Sequence, residues 1–220
     1  MRRLTPIECR VLAVLVEKQL TVPDTYPLSL NALTAGCNQK TGRQPVMELA
    51  DAEVQQAVDE LKFLSVVNQG SGSRVSRYEH NTQRVLGIPS QSVVLLALLM
   101  LRGPQTAAEL RIHSERMHRF ADVSSVEAFL DELAERGEPL VARLARAPGT
   151  REPRWTHLLG DVVETSVLAG DAGQSAAPAA AAGELESLRV QHAKLVEEVL
   201  RLNTLIDHLY VELGLNKPQA

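Results

Sequence analysis

Aromatic side chains are scarce in this chain of 220 residues, at 3% of the sequence against 45% for all hydrophobic residues. The core must therefore be mostly aliphatic. Cysteine is almost absent as well, since Cys9 and Cys37 are the only two copies. Two cysteines cannot form a disulfide framework, and neither has the paired spacing of a zinc site. We expect reduced thiols, no metal ion and no cofactor.

Long apolar runs are also missing. The sequence has no stretch of 18 or more apolar residues and no signal-type segment. Both absences argue against insertion into a membrane and against export. We therefore expect a cytoplasmic protein without a membrane partner.

Motifs that carry catalysis are lacking too. The only Gly/Ser turn of note, GSGS at 70–73, precedes a strand pattern rather than a helix, so it does not form a phosphate loop. His113 and His118 lie five residues apart and would face different directions on a helix, which excludes an i, i+4 metal pair. The sequence predicts no enzymatic activity and no catalytic residue.

An excess of positive charge is absent. The formal net charge is −4, and it divides into +1 for residues 1–85, −2 for residues 86–168 and −3 for residues 169–220. Proteins that bind nucleic acid without sequence preference are usually basic, because phosphate neutralisation supplies most of their affinity. The overall charge therefore argues against a dedicated non-specific nucleic-acid binder.

The first part of the chain has the pattern of three helices and a hairpin. A capping box at Thr5 and Glu8 opens a helix that runs to about residue 20, and LSLNALTAGC predicts a short second helix. A third helix is expected from an N-cap at Asp51. SVVNQ and RVSRYEH, on either side of the GSGS turn, read as two strands of a hairpin.

The same order then occurs a second time, after a connector at 81–89. We expect a helix capped by Ser90, a second opened by a capping box at Thr106 and Glu109, and a third capped by Ser124 or Ser125. LVARLARA and REPRWTHLL predict a second hairpin. Helix three recurs after 72 residues and the hairpin after 77. The sequence thus predicts an α+β fold, mainly α with small β-hairpins, made of two tandem winged-helix domains at 1–83 and 88–164.

The remaining residues have a different character. Residues 165–183 are rich in Ala and Gly and predict a flexible linker. In 184–215 the apolar residues follow heptad spacing, which predicts a coiled-coil-type helix and a homodimer. The residues expected to carry self-association are Leu188, Leu195, Val199, Leu202, Ile206 and Leu209. Because Val196, Leu205 and Tyr210 widen the apolar stripe, a helix that folds back on its own domains is the alternative.

Basic and amide side chains mark the expected contact surface. The third helices are acidic, which argues against ordinary major-groove binding. The candidate contact residues for nucleic acid or a partner lie instead in the loop before helix three and in the two wings: Asn38, Gln39, Lys40, Arg43, Arg74, Arg77, Arg151 and Arg154. The alternative is that Tyr78 and Trp155 pack the wings against the helices while the wing arginines pair with acids on helix three.

Four segments resemble the YceH family of bacterial proteins: YPLSLNAL, GCNQKTGRQPVMEL, RGPQTAAELR and REPRWTHL. The resemblance covers about residues 4–160. It implies a tandem winged-helix fold and no established activity. The stretch CNQKTGRQPVM is the site that the resemblance favours, and the competing interpretation is a loop that completes the packing of helices two and three.

Two functions remain open. The first is a DNA-associated, transcription-regulator-like binding module that acts as a dimer. The second is a scaffold whose acidic helix-three surfaces and wings bind another protein without direct DNA contact. Subunits that partition chromosomes use tandem winged-helix domains in this second way, although this is an analogy of fold alone.

Overall fold

The computed structural model describes residues 2–70, 75–145 and 152–160. Within these ranges the α-helices are α1 Pro6–Thr21, α2 Leu30–Cys37, α3 Asp51–Phe63, α4 Thr82–Leu86, α5 Ser90–Arg102, α6 Ala107–His113 and α7 Val123–Ala134. The strands are β1 Leu28–Ser29, β2 Val67–Gly70, β3 Arg77–His80, β4 Val141–Arg143 and β5 Trp155–His157. The prediction of an α+β protein, mainly helical with small antiparallel sheets, is confirmed.

Two helices begin at the capping boxes that the sequence predicts. The Thr5 Oγ1 atom accepts the peptide N–H of Glu8 at 3.2 Å, and Glu8 Oε2 accepts the N–H of Thr5 at 2.8 Å. The pair Thr106 and Glu109 repeats the arrangement at the start of α6, with distances of 3.1 and 3.0 Å. Each box satisfies peptide donors that the first turn of a helix leaves without partners.

The other three predicted caps are wrong. Asp51 is the first residue of α3 rather than its cap, and α5 follows Pro89 rather than Ser90. At α7 the cap is Asp122, whose Oδ1 accepts the N–H of Ser125 at 2.7 Å. In each case the predicted cap lies one to three residues after the observed one, and the observed caps of α3 and α5, Ala50 and Pro89, make no side-chain cap bond. The predicted connector at 81–89 also contains the short helix α4.

The two sheets are antiparallel and contain both predicted hairpins. In the first sheet the strand order is β1-β3-β2, with Leu28 opposite Tyr78, and β1 was not expected from the sequence. The second sheet pairs β4 with β5, and an isolated antiparallel bridge joins Gln105 to Trp155. This bridge stands 77 residues after the pair of Leu28 and Tyr78, so the second sheet repeats the first with a third strand reduced to one residue.

Helices α1 and α5 form the centre of the described structure. They pack against each other, and every residue from 8 to 16 of α1 and from 92 to 101 of α5 is buried. A helix that is covered on all sides is expected to be apolar around its whole circumference, as α5 is. The described residues belong to one compact unit with a continuous core, while the domain boundaries at 83 and 88 remain a prediction.

Within this unit, the N-terminal segment contacts the end of the second hairpin. The peptide N–H of Leu4 donates to the carbonyl of Leu159 at 2.7 Å, and Leu4 forms a parallel bridge with Gly160. A side chain at Gly160 would place its Cβ 3.1 Å from the Sγ of Cys9. A side chain at position 160 would therefore require its neighbours to move by a few tenths of an ångström.

Candidate functional site

Arg43, in the loop between α2 and α3, points into the protein. Its guanidinium donates to both carboxylate oxygens of Glu17 on α1, at 2.6 and 3.2 Å, and to the carbonyl of Gly36. A further donor reaches Gln39 Oε1 at 2.6 Å, and the side chain is only 1% exposed. Because these bonds use its donors inside the chain, the structure gives Arg43 a role in holding the loop and removes it from the expected contact surface.

The same loop is held at three further points. Arg10 on α1, buried and missed by the sequence analysis, donates to the carbonyls of Cys37 and Pro45 at 3.1 and 2.6 Å. Burial and the nearby charge of Arg43 lower the pKa of Arg10. The peptide N–H of Gln44 donates to the carbonyl of Leu101 at the end of α5. The stretch that the resemblance favours as a site therefore completes the packing between helices.

Asn38, Gln39 and Lys40 have different surroundings. Asn38 bridges the loop, since its amide accepts from and donates to the backbone of Leu49 at 2.8 and 2.9 Å. Gln39 is exposed but its Oε1 accepts from Lys18 and Arg43. Lys40 is exposed and bonds to none of the described residues. Of the four predicted loop residues, Lys40 therefore presents a free charge to solvent.

Arg77 and Arg154 make the same contact in the two hairpins. Arg77 donates to the carbonyl of Pro27 at 2.8 Å, and Arg154 donates to that of Pro104 at 2.7 Å. The arginine that donates and the proline that accepts both recur after 77 residues. Arg154 also pairs with Glu109 on α6 at 2.8 Å, rather than with an acid on the third helix. The repeated arginines thus fasten each hairpin to the segment that precedes the second helix.

The aromatic residues of the repeated pattern pack against the helices, as the alternative interpretation of the wings expects. Tyr78 and Trp155 are 3% and 2% exposed. The hydroxyl of Tyr78 donates to Gln55 on α3 at 3.0 Å, and the Arg143 guanidinium lies 4.7 Å from the centre of the Trp155 ring. Burial lowers the pKa of His80 and of His157 to about 4, so both are neutral near pH 7.

The acidic faces of the third helices partly neutralise basic side chains of the chain itself. On α3, Asp59 pairs with Lys62 at 3.3 Å and Glu60 pairs with Arg2 at 3.0 Å. On α7, Asp131 pairs with Arg143 of β4 at 2.9 Å. These surface pairs contribute little stability, and the other exposed acids of α3 and α7 leave both faces acidic overall.

A basic segment that the sequence analysis missed begins in the last turn of α6 and continues beyond it. Residues 111–119 carry Arg111, Arg116 and Arg119, all exposed, against one acid, Glu115. Arg119 is 82% exposed in its side chain and approaches Glu115 at 3.8 Å. A charge count over this window would have found it, but the count over residues 86–168 hides it among acids. We call residues 111–119 the basic segment.

The remaining predicted residues lie outside the described ranges. These are the predicted wing residues Arg74 and Arg151, the predicted linker at 165–183, and the heptad residues Leu188, Leu195, Val199, Leu202, Ile206 and Leu209. Within the described ranges, side chains of His, Cys, Asp and Glu form no group of three that could hold a metal ion. Burial raises the pKa of the Cys37 thiol to about 12, which keeps it protonated.

None of the helices in the described ranges combines the length and the apolarity that crossing a bilayer requires.

The fold and these contacts define an α+β protein whose repeated polar contacts hold two hairpins on a helical centre. The model of a family of proteins of unknown function, DUF480, matches residues 4–150. A UPF0502 protein of Burkholderia cenocepacia (strain HI2424) is 61% identical over 217 residues, which cover 98% of this chain and 92% of that protein.

Two further relatives are also UPF0502 proteins. A UPF0502 protein of Leptothrix cholodnii is 62% identical over 220 residues, with 100% of this chain and 99% of that protein covered. A UPF0502 protein of Cupriavidus necator is 60% identical over 216 residues, with 98% and 89% covered. The chain belongs to this family of bacterial proteins, and the predicted resemblance to an uncharacterised bacterial family is confirmed.

Proposed function

We propose that this protein is a non-enzymatic tandem winged-helix module that associates with DNA as a dimer. The winged-helix assignment is supported by two successive sets of three helices and a hairpin. Three paired positions recur after 77 residues: the helix caps Ser29 and Thr106, the buried rings of Tyr78 and Trp155, and the carbonyls of Pro27 and Pro104.

The basic segment is the observation that carries the DNA proposal. It runs from the last turn of α6 into the connection to α7, and these are the second and third helices of the second set. In helix-turn-helix proteins this connection and the adjoining helix ends lie beside the DNA backbone. Exposed arginines there can contact phosphates without bringing the acidic face of α7 into the groove, and phosphate contacts position a protein on DNA. Lys40 lies in the corresponding loop of the first set.

The expected binding is salt-dependent and has little sequence preference. The exposed acids of α3 and α7 offer few partners to base edges, whereas arginine contacts to phosphate release counterions. A dimer formed through 184–215 doubles the number of such contacts and raises affinity through effective concentration.

Fluorescence anisotropy with a labelled random-sequence duplex tests the proposal. Removal of two phosphate contacts by Arg116→Gln with Arg119→Gln should weaken binding and lower the slope of log K against log salt by about two. The matched control is Arg3→Gln with Arg84→Gln, which removes two exposed arginines elsewhere. Equal losses in both double variants, or no binding by the wild type at low salt, would contradict the DNA proposal.

The acidic face of α3 favours a second candidate, a scaffold that binds a basic segment of another protein. A groove of about 600 Å³ runs beside this face and is lined by Glu53, Gln56, Glu60 and the N-terminal end of α1, together with Arg2, which pairs with Glu8 and Glu60. Groove and acids together suit a ligand that is both apolar and positively charged.

Neutralisation of the α3 face separates the two candidates. Asp59→Asn with Glu60→Gln reduces repulsion of phosphate, so the DNA proposal expects tighter binding to the duplex. The scaffold proposal expects weaker binding of a basic protein partner by the same variant. Unchanged affinity for the duplex, together with loss of a partner that persists after nuclease treatment, would favour the scaffold.

A further inference from the structure

A cavity of about 350 Å³ lies where three segments distant in the sequence meet. Gly42 and Gln44 of the loop before α3 form one wall. Arg102, at the end of α5, and Gln105 form another, and the lining also includes Arg43, Pro104, Glu109, His113 and Arg154. The size is near the lower end of small-molecule sites, which range over about 300–1,000 Å³.

Arg102 is the cation in this cavity whose charge is not compensated. No carboxylate or hydrogen-bond acceptor among residues 2–70, 75–145 and 152–160 contacts its guanidinium. The two other arginines of the lining are engaged, Arg43 with Glu17 and Arg154 with Glu109. The cavity therefore has one half-buried guanidinium with free donors.

Gly42 provides the space that this guanidinium occupies. The backbone of Gly42 has a φ of 68°, and a Cβ there would lie 3.1 Å from Nη2 of Arg102. Any other residue would be strained in this conformation and would crowd the guanidinium. The loop and the end of α5 are also fixed to each other by the bond from the Gln44 N–H to the Leu101 carbonyl at 2.7 Å. The position of Arg102 in the cavity is thus defined by the fold.

His113, which also lines the cavity, has a fixed tautomer. Gln105 donates its amide to the carbonyls of Leu98 and Gly103, so its Oε1 is the acceptor in the 2.6 Å contact with His113 Nδ1. The proton of neutral His113 is therefore on Nδ1, which leaves Nε2 as the atom that gains a proton. Burial and then the charge of Arg102 lower the pKa of His113.

We propose that this cavity binds a small molecule through an oxyanion group, a phosphate or a carboxylate, with Arg102 as the principal ligand. The planar guanidinium fork matches either group with two parallel hydrogen bonds. Gln44 also lines this cavity. Because the walls come from both sets of helices, the ligand would also stabilise their packing by mass action. The proposal does not depend on DNA association.

Isothermal titration with inorganic phosphate in one arm and succinate in the other tests the site and distinguishes the two sources of oxyanion. The wild type should bind at least one of them at one site per chain. Arg102→Gln should weaken that binding by about tenfold or more, since a charge-assisted contact is lost. Arg102→Lys keeps the charge but lacks the planar guanidinium fork. Its affinity should therefore lie between that of the wild type and that of Arg102→Gln.

The matched control is Arg84→Gln, which removes an exposed arginine on α4, and it should bind as the wild type does. Thermal melting should show Arg102→Gln as stable as the wild type, because the removed guanidinium has no hydrogen bond. Absence of binding by the wild type in both arms, or equal weakening in the Arg84→Gln control, would overturn the proposal.

The imidazole of His113 provides a second measurement, by NMR titration. Charged groups that face it are Arg102 from α5, Glu109 from its own helix, Arg154 from the second hairpin and Arg43 from the loop. An anion bound to Arg102 adds negative charge near His113. The pKa of His113 should therefore be higher in the anion-saturated wild type than in the free protein. An unchanged His113 titration at saturation would place the anion elsewhere and overturn the assignment.

Discussion

Several arginines of this protein use their donors on backbone carbonyls. Arg10, Arg43, Arg77 and Arg154 each hold a loop or a hairpin in this way. The planar fork suits a carbonyl as well as a phosphate, so sequence alone does not distinguish an arginine that binds a partner from one that fastens a segment. Surroundings decide the role, and Arg43 and Lys40 have opposite surroundings only three residues apart.

This contrast gives a prediction at the scale of the residue. Arg43→Gln should lower the free energy of unfolding by about 3 kcal/mol, because Glu17 loses the two short bonds from the buried guanidinium and keeps only Lys18 at 3.4 Å. Lys40→Gln should change it by less than about 0.5 kcal/mol, because Lys40 is exposed and unbonded. Urea unfolding measures both variants, and similar values for the two would contradict the assigned role of Arg43.

The sequence predicts the surroundings of some wing residues and not of others. Tyr78 and Trp155 are buried, which agrees with the alternative that these rings pack the wings against the helices. The acceptors of Arg77 and Arg154 could not be predicted, because they are carbonyls of the segments before α2 and α6. Knowledge of those contacts requires the tertiary path of the chain, which no local pattern contains. Arg102 was missed for the same reason, since its cavity is made by three distant segments.

At the scale of the element, two glycines end helices in different backbone conformations. Gly87 follows α4 with φ 59° and ψ 44°, in the left-handed helical region. Gly103 follows α5 with φ 75° and ψ −160°, a region that only glycine adopts readily. A Cβ would meet no atom within 4 Å at either position. The two sites therefore differ in backbone strain and not in space.

Asparagine at these positions should separate the two conformations. Gly87→Asn should cost less than about 1 kcal/mol, because asparagine tolerates the left-handed region. Gly103→Asn should cost about 2 kcal/mol, because asparagine is strained there. Thermal unfolding of the two variants measures the difference, and a larger cost at Gly87 would contradict it.

Elements with strong periodicity were predictable and very short ones were not. The two capping boxes and the helices that they open follow from local sequence, as does the apolar α5. β1 has two residues and α4 has five, which is too short for a hydrophobic period to be recognised. Among the elements that the sequence did not predict, β1 matters most. It pairs with the strand that carries Arg77, and Arg77 donates to the carbonyl of Pro27 just before β1.

At the scale of the whole molecule, self-association is expected to reside in 184–215. Heptad spacing places Leu195 and Leu202 at d positions, so Leu195→Lys with Leu202→Lys should convert a dimer to a monomer. Sedimentation velocity measures the mass. Glu197→Lys with Thr204→Lys adds the same residues at outward f positions and should leave the dimer intact.

Deletion of residues 183–220 should have the same effect as the lysines at d positions. A wild-type mass of one chain would contradict the dimer and favour a helix that folds back on its own domains. A dimer that survives both the deletion and the lysines would place the interface elsewhere.

The bond between Leu4 and Leu159 has a consequence for the chain during its synthesis. Ribosomes add roughly 5–20 residues per second, so Leu4 is made roughly 8–30 s before its acceptor. For part of that time α1 also lacks α5, and the apolar surface that they share is open to water. The unfinished chain, rather than the completed protein, is therefore the state most exposed to aggregation.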